Sequence, residues 1–207
     1  MRILDRLIAL IGFIILSPIF MIVALLVWLE DRGPVFFKQT RVGLKGKPFR
    51  LLKFRTMKVQ NSGPALTVGA DNRITKTGLF LRKSKLDELP QLLNVIKGDM
   101  VFVGPRPEVE AFVKLYSADQ QQVLNLTPGI TDVASLKYFD ESERLAEAKD
   151  PHQHYVQTIM PDKIRLNLLY AKTRKNFLTD TKVIVYTLAR AVGAGEKTKE
   201  FLKSYET

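Results

Sequence analysis

Two adjacent carboxylates, Asp87 and Glu88, are the residues whose types and spacing best suit chemistry in this sequence. Neighbouring side chains cannot flank a scissile bond from two sides, so the acid and base pair of a glycosidase is a poor fit. The two can instead divide the work, because one carboxylate can act as nucleophile or base while the other holds a divalent cation. An ordinary helix cap is the alternative interpretation of the same pair.

Basic residues surround this pair in the sequence. Arg106 lies between Pro105 and Pro107, and the two prolines restrict the residues before them to extended geometry. The Arg106 guanidinium would therefore project from a stiffened loop, and a planar guanidinium held in this way suits bidentate recognition of phosphate.

The periodicity of apolar residues predicts the elements that position the pair. Apolar residues at i, i+3, i+4 and i+7 form one face of a helix, at Leu89, Leu92, Leu93 and Ile96. Asp87 and Glu88 would lie at its N-terminus, where N–H groups stabilise carboxylates and receive phosphate, and Gly98 suits its end. Upstream, residues 34–42 and 48–57 are rich in strand-forming residues, and the glycine-containing turn between them predicts an antiparallel hairpin.

The remaining segments are predicted to be mostly helical. Residues 60–70 have the glycines and proline of a loop, and helices are predicted over 108–123, over 141–149 and in a last segment that ends near Gly193. Residues 165–177 mix aliphatic, aromatic and cationic side chains, as expected of a helix lying in a headgroup layer. An ordinary amphipathic helix that faces the core fits the same pattern equally well.

The N-terminal segment determines where such a site would act. Residues 7–29 contain no charged side chain, and as one helix they would be about 34 Å long, enough to cross a hydrocarbon core of roughly 30 Å. Ser17 and Pro18 lie at the centre, where proline breaks or kinks a helix. The sequence allows two interpretations, a kinked helix that spans the membrane and a hairpin that enters and leaves by the same face. Basic residues on both flanks favour the hairpin, because they mark the cytoplasmic side.

Charge and composition narrow the class of partner. The chain has 207 residues, no cysteine and a formal net charge of +11, and residues 32–107 carry 16 basic against four acidic side chains. A basic domain at a membrane predicts binding to anionic lipid headgroups, to a phosphorylated substrate, or to both. Nucleic acid is not expected as a partner, because no helix-turn-helix, zinc finger or aromatic-studded sheet signature is visible.

Several blocks of the sequence together resemble one protein family. The blocks are PVFFKQTRVGLKGKPFRLLKFRTM at 34–57, DNRITKTG at 71–78, LRKSKLDELPQLLNVIKGDMVFVGPRP at 81–107 and TPGIT at 127–131. With the Ser-Pro break in the apolar segment, this order is similar to that of the bacterial sugar transferases, the small monotopic polyprenyl-phosphate phosphoglycosyl transferases. The resemblance covers about residues 1–131. Beyond Thr131 the sequence departs from the pattern of many relatives, so the resemblance does not identify the sugar.

The resemblance implies an enzyme with a ping-pong reaction on a nucleotide sugar. Asp87 would attack the β-phosphorus of a UDP-sugar, release UMP and carry the phosphosugar until undecaprenyl phosphate accepts it. Glu88 matches the family's metal-associated acid and would hold Mg²⁺, and Arg106 would bind phosphate. Secondary candidates for phosphate binding, each of which could equally be a surface charge or a lipid-headgroup contact, are Lys53, Arg55, Arg73 and Arg82.

With these implications, the sequence predicts an α+β protein in three parts. They are a re-entrant membrane helix-break-helix over 1–32, a cytoplasmic phosphoglycosyl transferase domain over 33–193 and a C-terminal tail over 194–207. The domain is expected to combine a small β-hairpin with mostly helical structure and interfacial amphipathic helices, at the cytoplasmic face of the bacterial inner membrane. Expected partners are UDP-sugar, undecaprenyl phosphate and membrane lipids, and association with a second copy stays open. The alternative is a non-catalytic membrane-peripheral module that binds anionic lipid and a partner protein.

Overall fold

The fold begins with one long apolar helix. The computed structural model describes residues 3–59, 71–173 and 177–205 of the chain. Helix α1 (Ile3–Asp31) has 29 residues and is long and apolar enough to cross a membrane, by length and composition. It is helical through Pro18, which has no N–H to donate to the Ile14 carbonyl, and the Ser17 hydroxyl donates to that carbonyl instead at 2.7 Å. The predicted re-entrant path through this helix stays a prediction.

An antiparallel hairpin follows α1, as the sequence predicts. Strand β1 (Phe36–Val42) pairs with strand β2 (Pro48–Phe54), with Phe36 opposite Phe54 at the open end. Its connection contains a 3₁₀ turn (Leu44–Gly46) in which Gly46 has a φ of 75°, a left-handed conformation that favours glycine. The loop predicted over 60–70 lies outside the described residues.

The next elements lead to the paired carboxylates. Helix α2 (Lys76–Lys83) is followed by a 3₁₀ turn (Leu86–Glu88) and by helix α3 (Gln91–Lys97). Gly98 ends α3 with a φ of 94°, so the helix and its predicted end are confirmed. The carboxylates lie one turn before α3 itself, in the short turn that connects α2 to it.

A second, parallel pair of strands was not predicted from the sequence. Strands β3 (Val101–Val103) and β4 (Gly129–Thr131) pair through Val101 with Gly129 and Val103 with Thr131. Between them the long helix predicted over 108–123 is replaced by helix α4 (Glu110–Val113) and a 3₁₀ segment (Gln120–Asn125). That prediction is therefore wrong in its extent.

The C-terminal third of the chain is helical. It contains α5 (Val133–Lys137), α6 (Glu141–Ala146), α7 (Pro151–His154), a π-helical turn (Tyr155–Ile159), α8 (Met160–Thr173), α9 (Phe177–Ala191) and α10 (Glu196–Lys203). Leu166 and Tyr170 of α8 are buried in a core that also contains Leu202 of α10 and Tyr205. Thus a helix lies within the segment predicted as a tail. A position of α8 in a headgroup layer stays a prediction.

Both ends of α1 contact the same globular domain. Near its N-terminus Ala9 is fully buried, and the Arg6 guanidinium donates to the Lys97 carbonyl at the end of α3 at 3.3 Å. Near its C-terminus Val27 is buried in the same core as Ala9, together with residues of β2 and α3. The middle of the helix packs on this core as well, through Phe20 and Val23. Large apolar side chains that are more than half exposed occur along the whole helix, at Ile3, Ile11, Ile14, Ile15, Met21, Ile22 and Leu29.

Candidate active site

The turn that carries Asp87 and Glu88 lies against the hairpin. Its 3₁₀ geometry is closed by backbone bonds from the Glu88 N–H to the Lys85 carbonyl at 3.2 Å and from the Leu89 N–H to the Leu86 carbonyl at 3.2 Å. Lys53 of β2 reaches both carboxylates, since its Nζ lies 2.9 Å from Glu88 Oε1 and 3.7 Å from Asp87 Oδ2. The structure thereby joins the sequence-predicted residues Asp87, Glu88 and Lys53.

Glu88 is a carboxylate whose negative charge is balanced by two neighbouring cations. Arg106 binds it with both terminal nitrogens, Nη1 donating to Oε2 at 2.9 Å and Nη2 to Oε1, and Lys53 donates to Oε1 as well. Burial alone would raise the pKa of Glu88, but the charges and hydrogen bonds of Arg106 and Lys53 outweigh it and hold the pKa well below its usual value. Glu88 is therefore ionised, and the same ion pair raises the pKa of Arg106.

Asp87 is a buried carboxylate with unused hydrogen-bonding capacity. It is 5% exposed, and its Oδ1 has no hydrogen-bond partner among the residues that the structure describes. Burial raises the pKa of Asp87, and the nearby charge of Lys53 opposes that rise without cancelling it. A carboxylate that has lost water without gaining a full set of donors is better able to attack an electrophile than a solvated one.

The loop that contains Arg106 is held in place by contacts with β4 and with Asp132. The Arg106 N–H donates to Asp132 Oδ2 at 2.7 Å, and its Nη1 lies 3.4 Å from the Ile130 carbonyl. The loop lies closely against β4, because a Cβ on Gly104 or on Gly129 would overlap the backbone opposite. Asp132 caps α5 through the Ser135 N–H, so one buried carboxylate fixes both the arginine loop and that helix. Sequence reasoning did not select Asp132.

The other predicted phosphate-binding residues differ in the hydrogen bonds and ion pairs that they already form with the protein. Arg82 donates from Nε to Thr56 Oγ1 at 2.9 Å and lines the same cleft as Asp87. The guanidinium of Arg73 forms an ion pair with Asp71. Arg55 is buried, binds Asp31 of α1 with both terminal nitrogens and donates to the Pro34 carbonyl at 2.5 Å. Arg55 therefore connects β2 to the end of α1.

A large open cleft gives access to the carboxylates. Its volume is about 2460 Å³, whereas a pocket for one drug-sized ligand has roughly 300–1,000 Å³. Its walls come from the hairpin, from the turn that carries Asp87, from the Arg106 loop and from helices α8 and α9. The cleft thus has room for more than one ligand of that size.

The donor set also bears on metal binding. The described residues contain no group of three or more His, Asp or Glu side chains that could hold a metal ion alone. Asp87 Oδ1 is free of protein partners in this part of the chain, and Glu88 beside it is ionised. A divalent ion that takes its other ligands from phosphate and water fits such a pair, and this is how Mg²⁺ is usually bound.

The fold combines one N-terminal helix that is long and apolar enough to cross a membrane with a cleft rich in cations, and comparison with known proteins identifies the family. The chain belongs to the bacterial sugar transferase family, whose model matches residues 1–194. The resemblance drawn from the sequence blocks is thereby confirmed.

Three relatives illustrate the similarity. A UDP-glucose:undecaprenyl-phosphate glucose-1-phosphate transferase of Caulobacter vibrioides is 42% identical over 141 residues, which cover 66% of this chain and 53% of that protein. A protein of the same name from Escherichia coli is 41% identical over 137 residues, 64% of this chain and 30% of its own length. A UDP-N-acetylgalactosamine-undecaprenyl-phosphate N-acetylgalactosaminephosphotransferase of Aeromonas hydrophila is 44% identical over 119 residues, 56% of this chain and 28% of that protein. The chain thus spans about half the length of these relatives or less.

Proposed function

We propose that this protein transfers a phosphosugar from a UDP-sugar to undecaprenyl phosphate and so starts the synthesis of a cell-surface glycoconjugate. The names of its relatives describe this type of reaction for glucose and for N-acetylgalactosamine. The observation that carries the proposal is the contrast between two adjacent carboxylates. Glu88 is bound by two cations, whereas Asp87 keeps a buried oxygen without a partner in the described part of the chain.

In the first step Asp87 acts as the nucleophile. A bond forms between its carboxylate oxygen and the β-phosphorus of the UDP-sugar, the bond from that phosphorus to the bridging oxygen breaks, and UMP leaves with the electron pair. In the second step an oxygen of undecaprenyl phosphate attacks the same phosphorus and Asp87 leaves, which yields undecaprenyl-diphosphate-sugar. Because phosphate is anionic and a carboxylate is a weak nucleophile, both steps need cations around the phosphorus. Arg106, Lys53 and Arg82 would supply that charge.

Mg²⁺ is part of the proposal. Glu88 would hold the ion, with the unpartnered oxygen of Asp87 close by. Bound there, the ion would offset the charge of the diphosphate. The role of Arg106 and Lys53 toward Glu88 is to keep this carboxylate ionised and oriented while Asp87 stays available for attack.

We place the site at the cytoplasmic face of the bacterial inner membrane, with α1 re-entrant. A straight helix of 29 residues would be about 43 Å long, and a domain on one side of a bilayer could hardly reach both of its ends. The contacts of Arg6 and Val27 with one domain support a path that leaves by the face it entered. Such a path places the cleft near the phosphate of a membrane-bound polyprenyl chain.

Release of UMP tests the proposal. The full chain in lipid nanodiscs with Mg²⁺ is offered UDP-glucose and UDP-N-acetylgalactosamine, and UMP is measured for wild type, Asp87→Asn and the control Asp119→Asn. Asp119 is an exposed aspartate outside the cleft, so its variant should match wild type. We expect UMP from at least one sugar nucleotide and none above background from Asp87→Asn. Equal release by Asp87→Asn and wild type would exclude Asp87 as nucleophile, and no release by wild type from a wider set of UDP-sugars would favour a membrane-binding module.

A further inference from the structure

A second cluster of cations lines the cleft around one aromatic ring. The Nζ of Lys85 lies 4.7 Å from the ring centroid of Phe139, and the Cζ of Arg190 lies 4.9 Å from the same centroid. The three residues come from distant parts of the chain: the turn before Asp87, the segment between α5 and α6, and the end of α9. All three line the cleft that contains Asp87.

The two cations differ from those beside Glu88 in their lack of an acidic partner among the described residues. Within the described ranges Lys85 and Arg190 form no ion pair, and the Arg190 guanidinium donates to the Leu136 carbonyl at 3.2 Å. This differs from Lys53 and Arg106, whose charges are engaged by Glu88. The face of an aromatic ring attracts a cation but cannot neutralise it. Two positive charges beside one ring repel each other, and an anion bound by both would offset that repulsion.

The backbone at Lys85 supports a role for its side chain. Lys85 ends α2 in the left-handed region, with φ 58° and ψ 13°. Helices commonly end in this conformation with glycine, because any residue with a Cβ is strained there. A long cationic side chain therefore lies at this position against the local backbone preference. It lies two residues before Asp87, and its charge acts on both Asp87 and Glu88.

We propose that Lys85 and Arg190, positioned by the ring of Phe139, form a second phosphate-binding subsite of the cleft, separate from the one at Arg106. The inference rests on the proposed function and extends it, because a phosphoryl transfer between two phosphorylated substrates has two phosphates to hold. Its ligand is either the phosphate that leaves as UMP or the phosphate of the polyprenyl acceptor. Lys85 and Arg190 would contact that phosphate directly, and Phe139 would be a positioning residue.

The subsite is tested first by equilibrium binding of UMP with Mg²⁺, measured calorimetrically on the full chain in nanodiscs. Lys85→Met and Arg190→Met remove one charge each. Loss of one charge-assisted hydrogen bond should raise the dissociation constant of UMP about tenfold or more. The matched control is Lys45→Met, since Lys45 is also left-handed, with φ 55°, but lies outside the cleft. Its variant should bind UMP as wild type does.

A second measurement separates the two sources of phosphate. If UMP binding is unchanged in Lys85→Met and Arg190→Met but the KM for undecaprenyl phosphate rises, the subsite holds the acceptor phosphate. If both quantities match wild type, the proposal is wrong. UMP binding needs no turnover, so it can be compared even if wild type releases no UMP from any sugar nucleotide, a result that would refute the proposed function alone. In that case the dissociation constant of undecaprenyl phosphate, measured by titration, replaces its KM.

Two further variants separate binding from folding. Phe139→Leu should weaken binding of the same ligand that Lys85→Met affects. Phe139→Tyr keeps the ring face and should bind that ligand with wild-type affinity. Lys85→Gly relieves the left-handed strain, so its melting temperature should be no lower than that of wild type although the ligand is weakened. If Phe139→Tyr does not bind the ligand as wild type does, Phe139 has no positioning role in the subsite. If Lys85→Gly binds the ligand normally, Lys85 does not contact the phosphate.

Discussion

The pair of Glu88 and Arg106 allows the sharpest quantitative prediction. Arg106→Met removes both hydrogen bonds to a largely buried carboxylate and leaves it with Lys53 alone. Removing one partner of a buried ion pair costs about 3–5 kcal/mol. The Arg106 side chain is 30% exposed, so the lower end applies, ~3 kcal/mol, which corresponds to a fall in melting temperature of roughly 6–12 °C for a domain of this size.

A double-mutant cycle provides the assay. Thermal unfolding is followed by near-ultraviolet circular dichroism for wild type, Arg106→Met, Glu88→Gln and the double variant. The bond from the Arg106 N–H to Asp132 involves only the backbone, so the loop keeps this anchor in every variant. Because the double variant loses the interaction between Arg106 and Glu88 only once, its free energy of unfolding should exceed the value expected from the sum of the single changes by about 1–2 kcal/mol.

The same variants distinguish stability from catalysis. UMP release should be lost in Arg106→Met and should stay lost in the double variant, although the double variant is more stable than the sum of the single changes predicts. Strictly additive stabilities would refute the conclusion that Arg106 neutralises Glu88. Full recovery of UMP release in the double variant would show that Arg106 acts only through folding and does not contact phosphate.

Three further predictions concern the metal, the membrane segment and its anchor. EDTA should abolish UMP release, and Glu88→Gln should raise the Mg²⁺ concentration needed for half-maximal release at least tenfold; an unchanged Mg²⁺ requirement would assign the metal to other residues. Replacing Ser17 and Pro18 by leucine should give an unbroken spanning helix and move an N-terminal cysteine label to the outer side of sealed vesicles, whereas wild type labels on the cytoplasmic side; outer labelling of wild type would contradict the re-entrant path. Arg55→Met breaks the connection to Asp31 and should lower the free energy of unfolding by roughly 3 kcal/mol, and a wild-type melting curve would show that this pair does not hold α1 to the domain.

Local patterns account for the parts of the fold that the sequence predicted correctly. The hairpin was predictable because strand-forming residues flank a turn with glycines, and α3 because four leucine and isoleucine positions repeat with helical spacing. The parallel pair β3 and β4 was not predictable in this way. Each strand has three residues, too few for a periodic signal, and parallel pairing joins segments that are far apart in the sequence.

In the candidate site, too, some residues can be recognised from the sequence and others only from the folded chain. Asp87, Glu88 and Arg106 stand out because a carboxylate pair and a proline-flanked arginine are visible in the sequence itself. Asp132 does not, since its role arises only when its carboxylate accepts from the Arg106 and Ser135 backbones. Lys85 was visible only as one of several nearby basic residues. Its contact with Phe139 distinguishes it from the others, whereas its left-handed backbone is shared with Lys45, and both features need the folded chain.

The covalent step at Asp87 is the central claim, and intact-protein mass spectrometry tests it most directly. Wild-type protein in nanodiscs without polyprenyl phosphate is mixed with Mg²⁺ and the UDP-sugar that supports UMP release, quenched in acid and measured. We predict a mass increase equal to one phosphosugar, its location on Asp87 after proteolysis, its disappearance when undecaprenyl phosphate is added, and no such increase in Asp87→Asn. UMP release by wild type with no adduct at any quench time, or an adduct that persists in Asp87→Asn, would contradict the account.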